Sequence, residues 1–207
     1  PQHPTFTQGA SSADATLGAS GGFEGLALSA DGTTLYGLLE KTVTGDLPGQ
    51  LRLNALNLGT RQWSLAGRYA LDAGSDAIGD LATVNDTQYL VLERDNKVHT
   101  DARNKRVYLI DLKRLNADGT FQKTLMADLM NIADPQGLAP DTRGGTLTFP
   151  NATIENIIVL NPTTLLIAND NNYPATGGRG PGVKDDTQFL WLRLGEPLNL
   201  APNLGGR

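Results

Sequence analysis

The sequence predicts an all-β fold: a β-propeller of four-stranded antiparallel blades, of which this chain covers only part, about three to four blades. Three similar segments predict it, beginning at Phe23, Ile78 and Ile154, each followed by a short turn and a second apolar run. The runs are short and are separated by Asp-Gly, Asn-Asp and Asn-Pro turns, which is typical of β-hairpins. Repeats of this length are typical of propellers and other repeat architectures.

The first predicted blade covers about residues 23–70. It opens with a hairpin, in which apolar runs at 26–28 and 35–39 flank the turn pair Asp31-Gly32. The Asp-Gly pair favours a tight reversal. Residues 51–58 are apolar at mostly alternate positions, the period of a half-buried strand, and residues 63–69 supply a fourth strand. One hairpin and two further strands make one blade.

The next two predicted blades follow the same plan at about residues 77–129 and 153–195. The last predicted blade, at about residues 153–195, shows three apolar runs and no evident fourth strand. Residues 1–22 are polar and rich in small residues, and we predict a flexible lead-in or an N-terminal strand there, followed by a partial propeller over 23–207. Three blades do not close a ring, so the sequence favours a fragment completed by a missing N-terminal part or by a second chain.

Composition excludes several classes of function. Acids outnumber bases 22 to 17, for a formal net charge of −5, so the sequence predicts no nucleic-acid partner. The absence of cysteine excludes thiol chemistry, and two histidines in 207 residues argue against a histidine-rich metal centre. No stretch approaches the roughly 18–20 apolar residues of a membrane span, so none is predicted.

Acidic residues recur at both ends of each predicted hairpin. In an antiparallel hairpin the start of the first strand lies beside the end of the second, so the units place their acids on one rim. Calcium binds carboxylate and amide oxygens, and the sequence therefore predicts calcium as cofactor. The candidate ligands are Glu24, Asp80, Glu155, Asp170 and Asn171. The alternative is that Asp and Asn end these strands because they form good turns.

Glu93 and Arg94 are the candidate catalytic residues. An arginine between two acids, as in Glu93-Arg94-Asp95, can brace a metal ligand or bind an anionic group through two hydrogen bonds. The alternative is a surface ion pair of little energetic value.

Three basic residues are candidates for binding an anionic substrate. Arg103 and Lys105 belong to a basic stretch after the second hairpin, and Arg179 belongs to a glycine-rich segment. The alternative is that both segments are solvated loops. His99 is of a type used as a general base near neutral pH, but it has no partner nearby in the sequence.

The hairpins resemble the phytase-like family of β-propellers, known by the description "esterase-like activity of phytase". The resemblance covers roughly residues 20–195, in order, and rests on the segments Phe23-Glu24-Gly25-Leu26, Ile78-Gly79-Asp80-Leu81, Leu92-Glu93-Arg94-Asp95, Ile154-Glu155-Asn156 and Asn169-Asp170-Asn171-Asn172. It implies a calcium-bearing propeller that is secreted or periplasmic.

Together these features favour a calcium-dependent hydrolase of phosphoester or carboxylic ester bonds, acting on a small anionic ester or phosphoester. The sequence has no Gly-x-Ser-x-Gly elbow, which argues against a serine esterase of the α/β-hydrolase type. One alternative is a non-enzymatic, calcium-stabilised propeller that serves as a binding or scaffold domain. Another is a sugar-lactone hydrolase, which would require a hydrophobic rather than a basic approach to the ion.

Overall fold

The computed structural model describes residues 16–17, 21–173, 182 and 186–204, and this part of the chain is all-β. It contains thirteen strands and a short 3-10 turn (His99–Asp101), and the described residues form no α-helix. None of its helical segments has the length and apolar character needed to cross a membrane. Most of the predicted lead-in over residues 1–22 lies outside the described residues.

The first sheet has four antiparallel strands in chain order: β1 (Phe23–Leu28), β2 (Thr34–Leu39), β3 (Gln50–Asn57) and β4 (Gln62–Ala70). The turn between β1 and β2 is closed by Asp31, whose carboxylate accepts the backbone N–H of Thr33 at 3.0 Å and the hydroxyl of Ser29 at 2.6 Å. Gly32 follows with a φ of 73°, a conformation that glycine adopts without strain. The Asp-Gly pair therefore fixes the reversal chemically.

The second sheet repeats this order with β5 (Ala77–Thr83), β6 (Gln88–Arg94), β7 (Lys105–Leu115) and β8 (Phe121–Asp128). Its first turn is closed by Asn85, whose side-chain oxygen accepts the N–H groups of Thr87 and Gln88, both at 3.0 Å. Asx turns of this kind explain why short polar pairs separate the apolar runs.

The third sheet has three antiparallel strands: β11 (Ile154–Asn161), β12 (Thr164–Asn169) and β13 (Phe189–Arg193). It follows a long connection that contains a small antiparallel pair of two-residue strands, β9 (Ile132–Ala133) and β10 (Thr146–Leu147). In the described part of the chain β13 pairs only with β12, so this sheet has one strand fewer than each of the first two sheets.

The three sheets stack face to face. On β6, Tyr89 and Val91 enter a core shared with the first sheet, whereas Leu90 and Leu92 enter a core shared with the third. The second sheet is therefore buried on both faces. The first strands β1, β5 and β11 pack side by side, as the inner strands of propeller blades do. The predicted all-β fold with four-stranded antiparallel sheets is confirmed.

Each of these inner strands carries a β-bulge at the same place. The pairing register shifts between Phe23 and Gly25 in β1, and at the corresponding positions of β5 and β11. The bulged residues are Glu24, Gly79 and Glu155. A bulge turns its side chain out of the normal alternation, which re-aims Glu24 and Glu155 near the rim where these strands begin, whereas Gly79 has no side chain and faces the backbone of β11.

Candidate functional site

The registers of the three hairpins define six equivalent positions on this rim. Leu39 pairs with Phe23, Glu93 with Ile78, and Asn169 with Ile154. The residues that follow these three strand ends, at positions 40, 94 and 170, form one set of three equivalent positions. The bulged residues at positions 24, 79 and 155 form the other set. Five of the six positions carry charged side chains, which we call the rim cluster: Glu24, Glu40, Arg94, Glu155 and Asp170. The sixth position is Gly79.

Arg94 joins the three sheets at the centre of the rim cluster. Its Nη2 lies 3.3 Å from Oε1 of Glu40 in the first sheet and 3.5 Å from Oε1 of Glu155 in the third. Its Nη1 donates to the side-chain oxygen of Asn96. The Arg94 side chain is only 5 % exposed, and a buried guanidinium is tolerated only with such partners. Arg94 therefore holds two carboxylates of different sheets in fixed positions.

Glu155 has the most perturbed environment in the rim cluster. Burial raises the pKa of its carboxyl, Arg94 opposes this effect, and the negative charges of Asp170, Glu24 and Glu40 raise the pKa further. The rim cluster contains four carboxylates and one guanidinium, so it has an excess of negative charge. Such a site attracts cations.

The predicted metal ligands do not all meet at this rim. The carboxylate of Asp80 accepts the backbone N–H of Leu81 at 2.8 Å and that of Ile157 at 2.9 Å, so it links β5 to β11. Burial raises the pKa of Asp80 to about 6. The side-chain oxygen of Asn171 accepts the N–H of Tyr173 at 3.2 Å within a turn. Over the described residues, no three His, Asp or Glu side chains are grouped so that they could hold a metal ion.

Glu93 lies between the first two sheets and not on the rim. It is fully buried, and its carboxylate accepts the hydroxyl of Tyr69, the N–H of Asp72 at 2.9 Å and the ammonium of Lys123 at 2.8 Å. The structure places Glu93 where it ties β4 and β8 to β6, away from solvent.

Lys105 is equally withdrawn from solvent. Its ammonium lies 2.8 Å from the Asp95 carboxylate and donates to the backbone oxygens of Asp95 at 2.6 Å and Lys97 at 3.0 Å. Both side chains of this ion pair are fully buried, and burial lowers the pKa of Lys105. The pair fixes the loop between β6 and β7 and presents no free cation to a substrate.

The other two predicted substrate-binding residues are placed differently. Arg103 is exposed, and its Nη1 donates to the backbone oxygens of Thr100 and Ala102. Arg179 lies outside the described residues. Arg103 and Lys105 of the basic stretch therefore both donate to backbone oxygens of the loop between β6 and β7.

The hairpin pattern of the sequence places Glu40 on one rim with Glu24, although Glu40 is not among the predicted ligands, and the alignment of the strand ends at 39, 93 and 169 adds it to the rim cluster. One feature was missed by reasoning from the sequence, a cavity of about 440 Å³ beside His99. Its walls come largely from the irregular connection over residues 131–150, which carries no periodic signal.

A comparison with family models finds a match. The model described as "Phytase-like: Esterase-like activity of phytase" matches residues 2–173, a span that includes the whole rim cluster. No curated protein and no solved structure matches the chain.

Proposed function

The chain belongs to the phytase-like family described by "esterase-like activity of phytase", and from that premise we propose that it hydrolyses carboxylic ester or phosphoester bonds at the rim cluster. The observation that carries the proposal is the convergence of Glu40, Arg94 and Glu155 from three different sheets. A constellation assembled from several elements holds reacting groups in fixed geometry, which is what catalysis requires.

Glu155 is the proposed general base. Its raised pKa makes it a better proton acceptor than an ordinary glutamate, and its side chain is 29 % exposed, so water reaches it. The proton of the attacking water would pass to the Glu155 carboxylate. Arg94 is a positioning residue in this proposal, because it holds Glu155 and Glu40 through its guanidinium.

Calcium enters the same proposal on donor chemistry alone, because over the described residues no three acids are grouped as a metal site. Glu24 and Asp170 offer only oxygen donors in a rim cluster with negative charge in excess, and Glu155 is kept as the base and not counted as a ligand. When bound, the ion would supply Lewis-acid polarisation of the ester group. Asp80 is left out of the set because two backbone amides occupy its carboxylate.

The test compares two isosteric substitutions. In assays with 4-nitrophenyl acetate and 4-nitrophenyl phosphate, Glu155→Gln is expected to lower kcat by about 10²- to 10⁴-fold, the usual contribution of a general base. Glu196→Gln is the matched control, because Glu196 is an exposed acid in the loop after β13. An unchanged kcat in Glu155→Gln would reject the assignment, and no hydrolysis of either substrate by the wild-type chain would reject the function.

A non-enzymatic scaffold is the second candidate, and the placement of Asp80, Glu93 and Asp95 favours it. All three acids are engaged by groups of the protein itself, as acids with a purely structural task would be. Under this alternative Glu155→Gln changes the midpoint of thermal unfolding while no ester is hydrolysed by either protein. Measuring melting and hydrolysis on the same samples separates the two functions.

A further inference from the structure

The cavity beside His99 has the size and lining of a small-molecule site. Its volume of about 440 Å³ falls within the range of roughly 300–1,000 Å³ usual for ligand pockets. Most of its walls are apolar, including Leu147, Phe149, Phe189 and Leu190. A second cavity of about 300 Å³ adjoins it and shares His99, Thr148 and Pro150 as lining residues.

Two walls of this cavity come from segments that adjoin the rim cluster in the chain or through a hydrogen bond. Its 3-10 turn at His99 belongs to the loop that leaves β6 directly after Arg94. Its opposite wall includes Gln188, whose N–H donates to the side chain of Asn169, the residue before Asp170, at 2.7 Å. Each wall is therefore connected to a charged residue of the rim cluster.

The larger cavity has few titratable groups. Those among its described lining are His99 and Asp141, and no lysine or arginine lines it there. Lys105 in the adjoining loop is fully buried against Asp95, and Arg103, which lines the smaller cavity, donates to the backbone oxygens of Thr100 and Ala102. A polyanion such as a multiply phosphorylated alcohol would meet no counter-charge in this cavity, whereas an apolar group would be taken out of water by it.

His99 is held in an unusual conformation at this wall. Its φ is 52°, in the left-handed region that non-glycine residues rarely adopt. Its backbone N–H donates to the Pro150 oxygen at 3.3 Å, and its own oxygen accepts the N–H of Ala102. These contacts hold the backbone at His99, and its imidazole is a polar group in an otherwise largely apolar lining, where it can hydrogen-bond a single polar group of a ligand.

We propose that the cavity beside His99 binds the apolar aryl or acyl group of the substrate, and that the substrate is an uncharged carboxylic ester or lactone. The inference rests on the proposed function, since it names the substrate class for hydrolysis at the neighbouring rim cluster. The hydrophobic cavity supplies the apolar approach that such a substrate requires.

The test fills the cavity from an exposed position. Thr148 lines both cavities and is exposed, so Thr148→Trp blocks the space, while Thr148→Val keeps the volume and serves as control. Binding of 2-naphthol, which cannot be hydrolysed, is measured by isothermal titration calorimetry on the full chain. We expect Thr148→Trp to raise the Kd of 2-naphthol at least about tenfold, because the naphthol ring is no longer buried in the cavity. Thr148→Val should change this Kd less than about twofold. Ala139→Trp repeats the block from another wall.

Hydrolysis of 2-naphthyl acetate and 2-naphthyl phosphate completes the test. Faster hydrolysis of the acetate, with a KM raised by Thr148→Trp, is the expected result. Absence of 2-naphthol binding, or equal binding by the blocked variants, overturns the inference whatever the activity. Preferential hydrolysis of the phosphate keeps the proposed function and overturns the substrate class. Blocked binding without any hydrolysis supports the apolar site and rejects the proposed function.

Discussion

Asp80 provides a pH test of how the inner strands are joined. Its carboxylate is partly buried and accepts N–H groups from β5 and β11. Burial disfavours the charged form more strongly than these two bonds favour it, which raises the pKa from 3.8 to about 6. An acid whose pKa is raised on folding binds its proton more tightly in the folded chain than in the unfolded one. Its stabilising effect is therefore complete below pH 4 and is lost as the pH rises to about 6.

The expected magnitude follows from the two pKa values. The difference between 3.8 and about 6 corresponds to about 3 kcal/mol of unfolding free energy, at about 1.4 kcal/mol per pKa unit. Asp80→Asn removes the titration and keeps the shape, so its own effect on hydrogen bonding adds an offset that does not depend on pH. Relative to this variant, the wild type should be about 3 kcal/mol more stable at pH 3 than at pH 7.5.

Urea unfolding followed by far-UV circular dichroism from pH 3 to pH 7.5 gives this difference directly. Asp118→Asn is the control of opposite sign, because hydrogen bonds from Thr120 lower the pKa of the exposed Asp118 carboxyl. For Asp118 the wild type should gain stability over its variant as the pH rises. A difference between wild type and Asp80→Asn that is flat with pH would refute the burial of this carboxylate. A slope of the opposite sign would mean that the two backbone bonds outweigh burial.

Three further predictions follow from close contacts and charge. In Gly79→Ala, the new Cβ would lie 2.1 Å from a backbone oxygen of β11, so we expect chemical unfolding to show a loss of at least about 2 kcal/mol in the free energy of unfolding. In the control Gly195→Ala the Cβ meets nothing within 4 Å, so the loss should be far smaller. Equal losses in the two variants would contradict the contact. Lys105→Met leaves a buried carboxylate unpaired and should cost about 3–5 kcal/mol, against a small effect for the exposed Lys113→Met; a stable Lys105→Met variant would contradict the burial of the pair. Calcium at 100 times its Kd should stabilise the fold by about 2.7 kcal/mol, seen as a melting temperature higher in calcium than in EDTA, and identical melting curves would remove calcium from the proposed function.

The strands were predictable because their signals are local. Alternating apolar positions and turn pairs such as Asp31-Gly32 depend on neighbours in the sequence, and the turn hydrogen bonds of Asp31 confirm the chemistry behind them. The same is true of Glu24 and Glu155, which stand at the same place in repeated segments.

The positions that differed depend on contacts between sheets. The bulge of β5 falls on Gly79, so the equivalent of Glu24 in the second sheet has no side chain, and Asp80 turns toward the backbone of β11 instead. The full burial of Lys105 was equally hidden, because lysine is almost never buried unless paired, and its partner Asp95 meets it only through the fold of a ten-residue loop.

The outer edge of β13 has a consequence for handling the protein. This strand pairs only with β12 in the described part of the chain, and it exposes Phe189 and Trp191 by 62 % and 65 %. The residues that correspond to Phe189 in the two four-stranded sheets are Leu53 and Val107, and both are fully buried. Backbone donors and acceptors that have no strand partner among the described residues, beside exposed aromatic rings, are a template for adding strands from other molecules. The weight-average molar mass measured by light scattering should therefore rise with protein concentration, and Trp191→Lys should suppress the rise.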